Sequence, residues 1–338
     1  MQMQAPPQPA AALRIAAVVV TFNRIAQLQQ TVVRLLAEPI DHVLVIDNGA
    51  TDGSGDWLAA QTDPRLTIIT SAQNSGGAGG FEVGMRQAMA RFDPDWLVLM
   101  DDDARPMPGM IAAFRATDHG AAEAVAAAVH YPDGRICEMN RPSVNPFWHR
   151  QNFLRTLMGR GRMGFHVADA DYDMAGERDV DAASFVGLFL SRKGVARGGF
   201  PDGQLFIYGD DVLYTLGLRR AGGQISFVPA IRFEHDCSTY EDDMRVTRPL
   251  WKVYYLHRNS LFVYRAASGW FFPLVLLAVL PKWWLKSRAY GADRPAFQRL
   301  LRRGILDGLQ GRRSRPHAEV LGLALQAKRV GGPAPRNL

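Results

Sequence analysis

Ile15-Ala-Ala-Val-Val-Val20-Thr21-Phe-Asn-Arg24 is a run of small and β-branched apolar residues that stops at a polar turn. It has the pattern of a parallel strand buried on both faces and followed by a loop. Residues 25–36 then place apolar groups at helical intervals. A second apolar run, residues 42–46, ends at Asp47-Asn48-Gly-Ala-Thr-Asp52-Gly53, a segment dense in turn formers. Residues 66–70 read as a third strand, 81–92 as a helix, and 96–100 as a fourth strand running into Asp101-Asp102-Asp103. Strands alternating with helices over short connections predict an α/β fold, a doubly wound, mostly parallel sheet. Ligands of such sheets sit outside the carboxyl ends of the strands. Thr21 to Arg24, Asp47 to Asp52 and Asp101 to Asp103 are therefore expected along one edge. Residues from about 104 to 243 should extend the same sheet, with a helical, aromatic final third.

The 338 residues are 47% apolar and 21% charged, which suits a globular chain with a large core and excludes disordered, collagen-like and disulfide-scaffold classes. Cys137 and Cys237 lie a hundred residues apart with no CxxC pair, arguing against a zinc ribbon, a redox motif or a secreted framework. The net charge of +6 is unevenly placed, since residues 282–338 carry 13 Lys and Arg against 3 Asp and Glu. Such segregation suggests a surface for an anionic partner. Residues 1–13 lack the features of a secretory signal and read as a short flexible leader.

The longest apolar run, Trp270 to Leu280, has 11 residues, fewer than the roughly 18–20 that span a bilayer, and Pro273 and Pro281 are expected to shorten any helix there. Lys282-Trp-Trp-Leu-Lys286 and an arginine-rich tail follow. This aromatic and cationic pattern fits a segment lying in a membrane interface; the other reading is a buried helix with a solvated basic one behind it.

Three adjacent aspartates repel one another unless a cation is present. From an extended segment Asp101 and Asp103 can face one site while Asp102 turns aside, and hard oxygen donors suit Mg2+ or Mn2+. A solvated acidic turn is the alternative. Asn74-Ser-Gly76-Gly77-Ala-Gly-Gly80-Phe81, ahead of a helix, could cradle a phosphate or could be a plain turn. It matches neither the dinucleotide fingerprint nor the P-loop. Gly209-Asp210-Asp211 opens a helix whose Val212, Leu216 and Leu218 should face inward, with Arg219 and Arg220 outward. Its carboxylates suit either a helix cap or a general base. His235 follows a strand at residues 225–228; acidic groups at neighbouring strand ends favour a ligand role over a structural one. Trp148 could stack on a bound ligand or pack in the core.

Val18 to Arg24, Val45 to Gly53, Asn74 with its glycines, the aspartate triplet, Gly209-Asp210-Asp211 and His235 together resemble the ordered motifs of inverting family 2 nucleotide-sugar glycosyltransferases, over about residues 14 to 240. The glycine segment and the full Asp101-Asp-Asp103 most resemble the galactofuranosyltransferase and rhamnosyltransferase branch. The resemblance implies a GT-A fold at residues 14–245, with a nucleotide-sugar half at 14–105 and an acceptor half at 106–245, then a helical C-terminal region at 246–338. Thr21, Asn23 and Arg24 would line the nucleotide pocket and Asp47 would bond the base. Asn74, Gly76 and Gly77 would approach the sugar and diphosphate, and Asp101 and Asp103 would hold Mn2+ or Mg2+ with His235. An alternative set has Asp103 alone on the metal and Asp101 or Asp102 on the ribose. Asp211 would be the base, with Asp210 orienting it or binding acceptor, and Trp148 would contact the acceptor. Asp210 departs from the family's commoner Glu, and residues 247–258 lack the QxxRW of processive synthases.

The resulting expectation is an inverting transferase acting on a lipid-linked or cell-surface glycan, cytoplasmic and held at an anionic membrane surface by its C-terminal third. The rivals are a sugar nucleotidyltransferase and a non-catalytic nucleotide-sugar-binding scaffold. Nucleic acid is not expected as a partner, because the basic tail lacks a groove-reading motif and the remaining chain is net acidic.

Overall fold

The computed structural model describes residues 13–237 and 246–325. The expected leader up to residue 12, the boundary at 245 and the tail beyond 325 lie outside the described residues. Strands β1 (Ile15–Thr21), β2 (His42–Asp47), β3 (Leu66–Thr70) and β4 (Trp96–Asp101) alternate with helices α1 (Ile25–Ala37), α2 (Ser54–Ala59) and α3 (Gly76–Phe92). There follow β5 (Ala104–Pro106), α4 (Met110–Ala116), β6 (Ala124–His130), α5 (Arg150–Arg155), β7 (Arg178–Val180), β8 (Leu188–Ser191), α6 (Arg192–Gly198), α7 (Asp210–Arg220) and β9 (Ile225–His235). The last segments are α8 (Lys252–Ser268), α9 (Phe272–Lys286), α10 (Arg294–Leu309) and α11 (His317–Leu325).

One sheet runs β3-β2-β1-β4-β8-β6-β9-β5, with β7 on β9. The β3-β2-β1-β4 half is parallel, β8 runs antiparallel between β4 and β6, and β6 and β9 are parallel. Alternate residues of β1 and β4 bury into opposite apolar layers, Val19 and Val98 on one side and Val18 and Leu97 on the other. A two-sided layer of this kind explains their unbroken apolar sequence.

Strand β9 extends seven residues beyond the expected strand at 225–228. A register shift opposite Ala127 and Ala128 carries it on to pair Arg232 with Ala128 and His235 with Ala104. Pro229 falls at this irregularity, where a missing donor is tolerated. The result sets His235 beside the aspartate triplet.

Helix α3 begins at Gly76, five residues before the expected start, so the glycines form its first turns. They are small because neighbours crowd them. A Cβ on Gly80 would lie 2.4 Å from Val20 Cγ1, and one on Gly84 2.4 Å from Val18 Cγ1, which lets α3 press directly on β1. A Cβ on Gly76, whose φ is +73°, would meet the Phe206 carbonyl oxygen at 2.0 Å. Gly77 has nothing within 4 Å.

Two further expectations are corrected. Arg219 turns back onto the buried Asp181, Nε to Oδ1 at 2.9 Å, instead of facing out. Pro281 does not end α9, which continues to Lys286; Pro281 and Leu277 are both exposed, so the Leu277 carbonyl left without a helical donor is not stranded in a core. Pro273 sits in the first turn, where no N–H is needed. By length and composition Lys252–Leu309 could cross a membrane, with mean hydropathy 1.6 over its most apolar window. Left-handed turns at Gly269 (φ 51°) and Gly291 (φ 49°) divide it into separate helices.

Candidate active site

The carboxyl edge of the parallel half gathers the first loop, the second loop and the aspartates. Asp102 is buried and turned towards the first loop: its Oδ2 accepts from Thr21 Oγ1 at 2.8 Å and from the Phe22 N–H at 3.3 Å. Burial pushes its carboxyl up to about 7 against the opposing charge of Arg24. Thr21 and Asp102 thus fix each other. Asn23, at φ 54°, accepts from the Thr51 N–H at 2.7 Å and joins the first loop to the second. Asp47 is buried and folds the second loop by accepting from the Ala50 N–H at 2.8 Å. Asp52 accepts from the Ile25 N–H at 2.9 Å and so satisfies the start of α1.

Asn74 accepts from the Gly76 N–H at 2.7 Å, and Asn48 donates to the Gly76 carbonyl at 3.0 Å, so the second loop holds the start of α3. Most of the glycine run is explained by this packing. Gly77 alone of Gly76, Gly77, Gly79 and Gly80 has open space where a Cβ would be.

Ligand atoms of Asp101, Asp103 and His235 all lie within 4.8 Å of one another. His235 Nε2 is 3.1 Å from Asp103 Oδ1, and the Arg24 guanidinium contacts Asp103 and lies 3.4 Å from Asp102. Burial and the neighbouring Asp103 push the Asp101 carboxyl up to about 6. For Asp103, burial is outweighed by the His235 hydrogen bond and by the His235 and Arg24 charges, and its carboxyl stays below the usual range. Burial works against a charged His235, yet its bonds to Asp103 and Cys137 hold it up to about 10. Two carboxylates and an imidazole whose ligand atoms lie this close form a donor set that fits a hard divalent cation, which would take the place of the protons that burial and mutual repulsion favour here. On the far side of the ring, Nδ1 lies 2.7 Å from Asn140 Oδ1, and Asn140 is in turn tied to Ser184. This buried Asn orients the imidazole, and no motif marked it in the sequence.

Asp210 and Asp211 open α7, and the charge of Asp211 acts on Asp101 across the edge. Burial pushes Asp211 up to about 6, and burial together with Asp211 drives Asp210 well above the usual range. Burial and mutual repulsion thus raise both members of the pair. The preceding loop is strained, with Phe206 and Tyr208 at φ 68° and 71° before Gly209 at 76°. Three carbonyls of this loop, from Leu205, Ile207 and Tyr208, accept from the single Nδ2 group of Asn259 at 3.0, 2.8 and 2.9 Å. Arg258 adds a bond to the Leu205 carbonyl at 2.8 Å. Both residues are buried on α8, so α8 holds the loop that leads into Asp210 and Asp211.

Trp148 is not brought to these carboxylates. Its half-exposed ring lies 6.0 Å from the guanidinium of Arg220, nine residues along α7 from Asp211, or roughly 14 Å of helix.

Sheet order and edge together define a GT-A glycosyltransferase. The mannosyltransferase PcManGT from Pyrobaculum calidifontis, solved with GDP-Man and Mn2+, superposes with a TM-score of 0.52 over 98% of this chain and 92% of that one, at 14% identity. The chain belongs to glycosyl transferase family 2, whose pattern matches residues 16–180. It is 32% identical over 231 residues to galactofuranosyltransferase GlfT1 of Mycobacterium tuberculosis H37Rv, covering 67% of this chain and 71% of that protein. The undecaprenyl-phosphate mannosyltransferase of Micrococcus luteus is 33% identical over 154 residues, 44% of this chain and 61% of that protein.

Proposed function

We propose that this glycosyltransferase moves galactofuranose from a nucleoside diphosphate donor to a hydroxyl of a lipid-linked glycan, with inversion at the anomeric carbon. The observation that carries the chemistry is the joint placement of Asp101, Asp103 and His235 opposite Asp211 on one sheet edge. The similarity to GlfT1 supports the sugar, and rhamnose is the sugar to compare with it. Thr21, Asn23, Arg24 and Asp47 shape the nucleotide pocket, with Asp102 fixing its first loop. Asn74 and Gly77 leave room for the diphosphate and sugar. Asp101, Asp103 and His235 would hold Mn2+ or Mg2+, which supplies neutralisation of the departing diphosphate. Asp211 takes the acceptor hydroxyl proton while burial disfavours a second negative charge on Asp210 beside it. Trp148 would meet a more distant unit of the acceptor.

Release of nucleoside diphosphate from a panel of UDP-, dTDP- and GDP-sugars, with and without Mn2+, tests this reading. One donor should turn over only with metal, and Asp103→Ala should reduce that turnover at least a hundredfold. Metal-independent turnover or an active Asp103→Ala variant would refute the metal assignment. No binding of any donor would favour the scaffold reading.

The C-terminal third supports attachment to the inner face of the cell membrane. Trp270 is 99% exposed and Leu277 73%. The Phe271 ring lies 6.0 and 5.8 Å from the rings of Phe147 and Phe153, and Leu157 and Met158 are also exposed. The 15 residues of α9 reach about 22 Å, short of a roughly 30 Å hydrocarbon core, so the helix lies in the interface with the basic α10 beside it. Truncation would remove Phe297, Leu300 and Leu301, which pack on Tyr254, so point variants are the cleaner probe. Trp270→Asp with Leu277→Asp is expected to weaken co-sedimentation with anionic liposomes by at least tenfold while sparing turnover of a water-soluble acceptor. Unchanged sedimentation would remove this attachment.

A further inference from the structure

We propose that Cys137, Cys237 and the Nδ1 atom of His235 form a binding site for a thiophilic divalent cation of the Zn2+ class, set behind the carboxylate site and sharing its imidazole. The two cysteines are a hundred residues apart, and the fold brings them together. Residues 131–136 turn back so that the Cys137 N–H bonds the Val129 carbonyl of β6 at 3.0 Å. Strand β9 lies parallel to β6 and ends with His235 opposite Ala104. Cys237 follows two residues later.

One ligand atom from each of the three residues lies within 4.8 Å of the others, with Cys137 Sγ 3.9 Å from His235 Nδ1. Tetrahedral Zn2+ with sulfur at about 2.3 Å and nitrogen at about 2.0 Å places such donors about 3.6 Å apart, so only a small contraction is needed. Asn140 Oδ1, 3.0 Å from Cys137 Sγ and 2.7 Å from Nδ1, stands ready as a fourth, oxygen donor. Cys237 Sγ rests at 3.3 Å on Met139 Sδ, a weak acceptor. The donors on this side of the ring are sulfur and nitrogen, whereas those on the Nε2 side are carboxylate oxygens. The two pockets therefore select different cations.

Their shared imidazole makes them exclusive. A neutral ring with Nδ1 on Zn2+ carries its one proton on Nε2, which then donates to Asp103 and cannot ligate. Filling the thiol site releases the two thiol protons to solvent and removes a ligand from the carboxylate site. That consequence rests on the metal reading under Proposed function; cation binding at the thiols does not.

The test uses the full chain, reduced, with both thiols counted free, and Co2+ as a spectroscopic substitute for Zn2+. One equivalent of Co2+ should give thiolate-to-cobalt charge-transfer absorption that Zn2+ bleaches. Cys137→Ser and the half-buried Cys237→Ser should each abolish it, while Asp101→Asn/Asp103→Asn should keep it. In parallel, one equivalent of Zn2+ should release bound Mn2+, read as free Mn2+ by electron paramagnetic resonance, from wild type and at least tenfold less from Cys137→Ser. No charge-transfer band in the reduced protein, or one that survives both cysteine variants or requires the aspartates, would overturn the site. Equal Mn2+ release from Cys137→Ser would overturn the exclusion. If Mn2+ never binds, the carboxylate reading has failed, and the cobalt band still decides the thiol site.

Discussion

Asp211→Asn is expected to lower kcat by about a thousandfold with little change in donor binding. Asn keeps the size and the acceptor oxygen facing the Val212 N–H, so α7 should start as before. What it lacks is a lone pair basic enough to take the acceptor's proton, a contribution of about 10²–10⁴ in rate. Asp210→Asn should cost far less, since burial and the neighbouring Asp211 already disfavour the charged form of Asp210. The pH profile supplies a second check with a definite sign. In the proposed role Asp211 works as its anion, and burial pushes its carboxyl up to about 6, so kcat/KM should rise with pH up to about 6 and then level. Asp211→Asn should lose that limb. A variant that keeps near wild-type transfer, or a profile falling over the same range, would move the base elsewhere.

The parallel half of the sheet was legible because β1, β2 and β4 are buried on both sides, which writes near-unbroken apolar runs into the sequence, with β3 at the edge only half-buried. The polar residues that end these runs had to meet at one edge, and Thr21, Asp47 and Asp101 to Asp103 do. His235 was placed beyond a short strand, but its pairing with Ala104 depends on the register shift in β9, which periodicity does not reveal. The glycines have a second reason that the sequence does not display: Gly80 and Gly84 are small because β1 lies against them, while Gly77 keeps open space. Long-range partners left no local trace at all: Asn140 behind His235, Cys137 beside Cys237, and Asn259 under the loop that leads into Asp210 and Asp211 are single polar residues in stretches without a motif. The missing QxxRW drew attention to residues 247–258, and the structural weight there falls on Arg258 and its neighbour.

Asn259→Leu is expected to damage activity nearly as much as loss of the base, from a residue that touches neither substrate nor metal. Its Nδ2 group donates to the Leu205, Ile207 and Tyr208 carbonyls, and its Oδ1 accepts from Arg258 Nε at 2.8 Å. An apolar side chain of similar volume removes the amide donor from the Ile207 and Tyr208 carbonyls and the acceptor from Arg258 Nε in a buried place, and each buried polar group left unsatisfied costs about 1–3 kcal/mol. The loop is held at positive φ for Phe206 and Tyr208, conformations costing on the order of 1–3 kcal/mol each that persist only when the surroundings impose them. Without Asn259 the strain should relax, and Asp210 and Asp211, the next residues along, should move with it. A displacement near 1 Å can cost about a hundredfold in rate. The expected signature is a roughly hundredfold fall in kcat, a donor KM within about threefold of wild type, and a lower melting temperature. Asn259→Asp separates this reading from simple loss of packing: it keeps shape and the acceptor for Arg258 but sets oxygens against the three carbonyls, so it should be as poor as Leu. If Asn259→Asp retained wild-type kcat, the clamp would have no part in positioning the base.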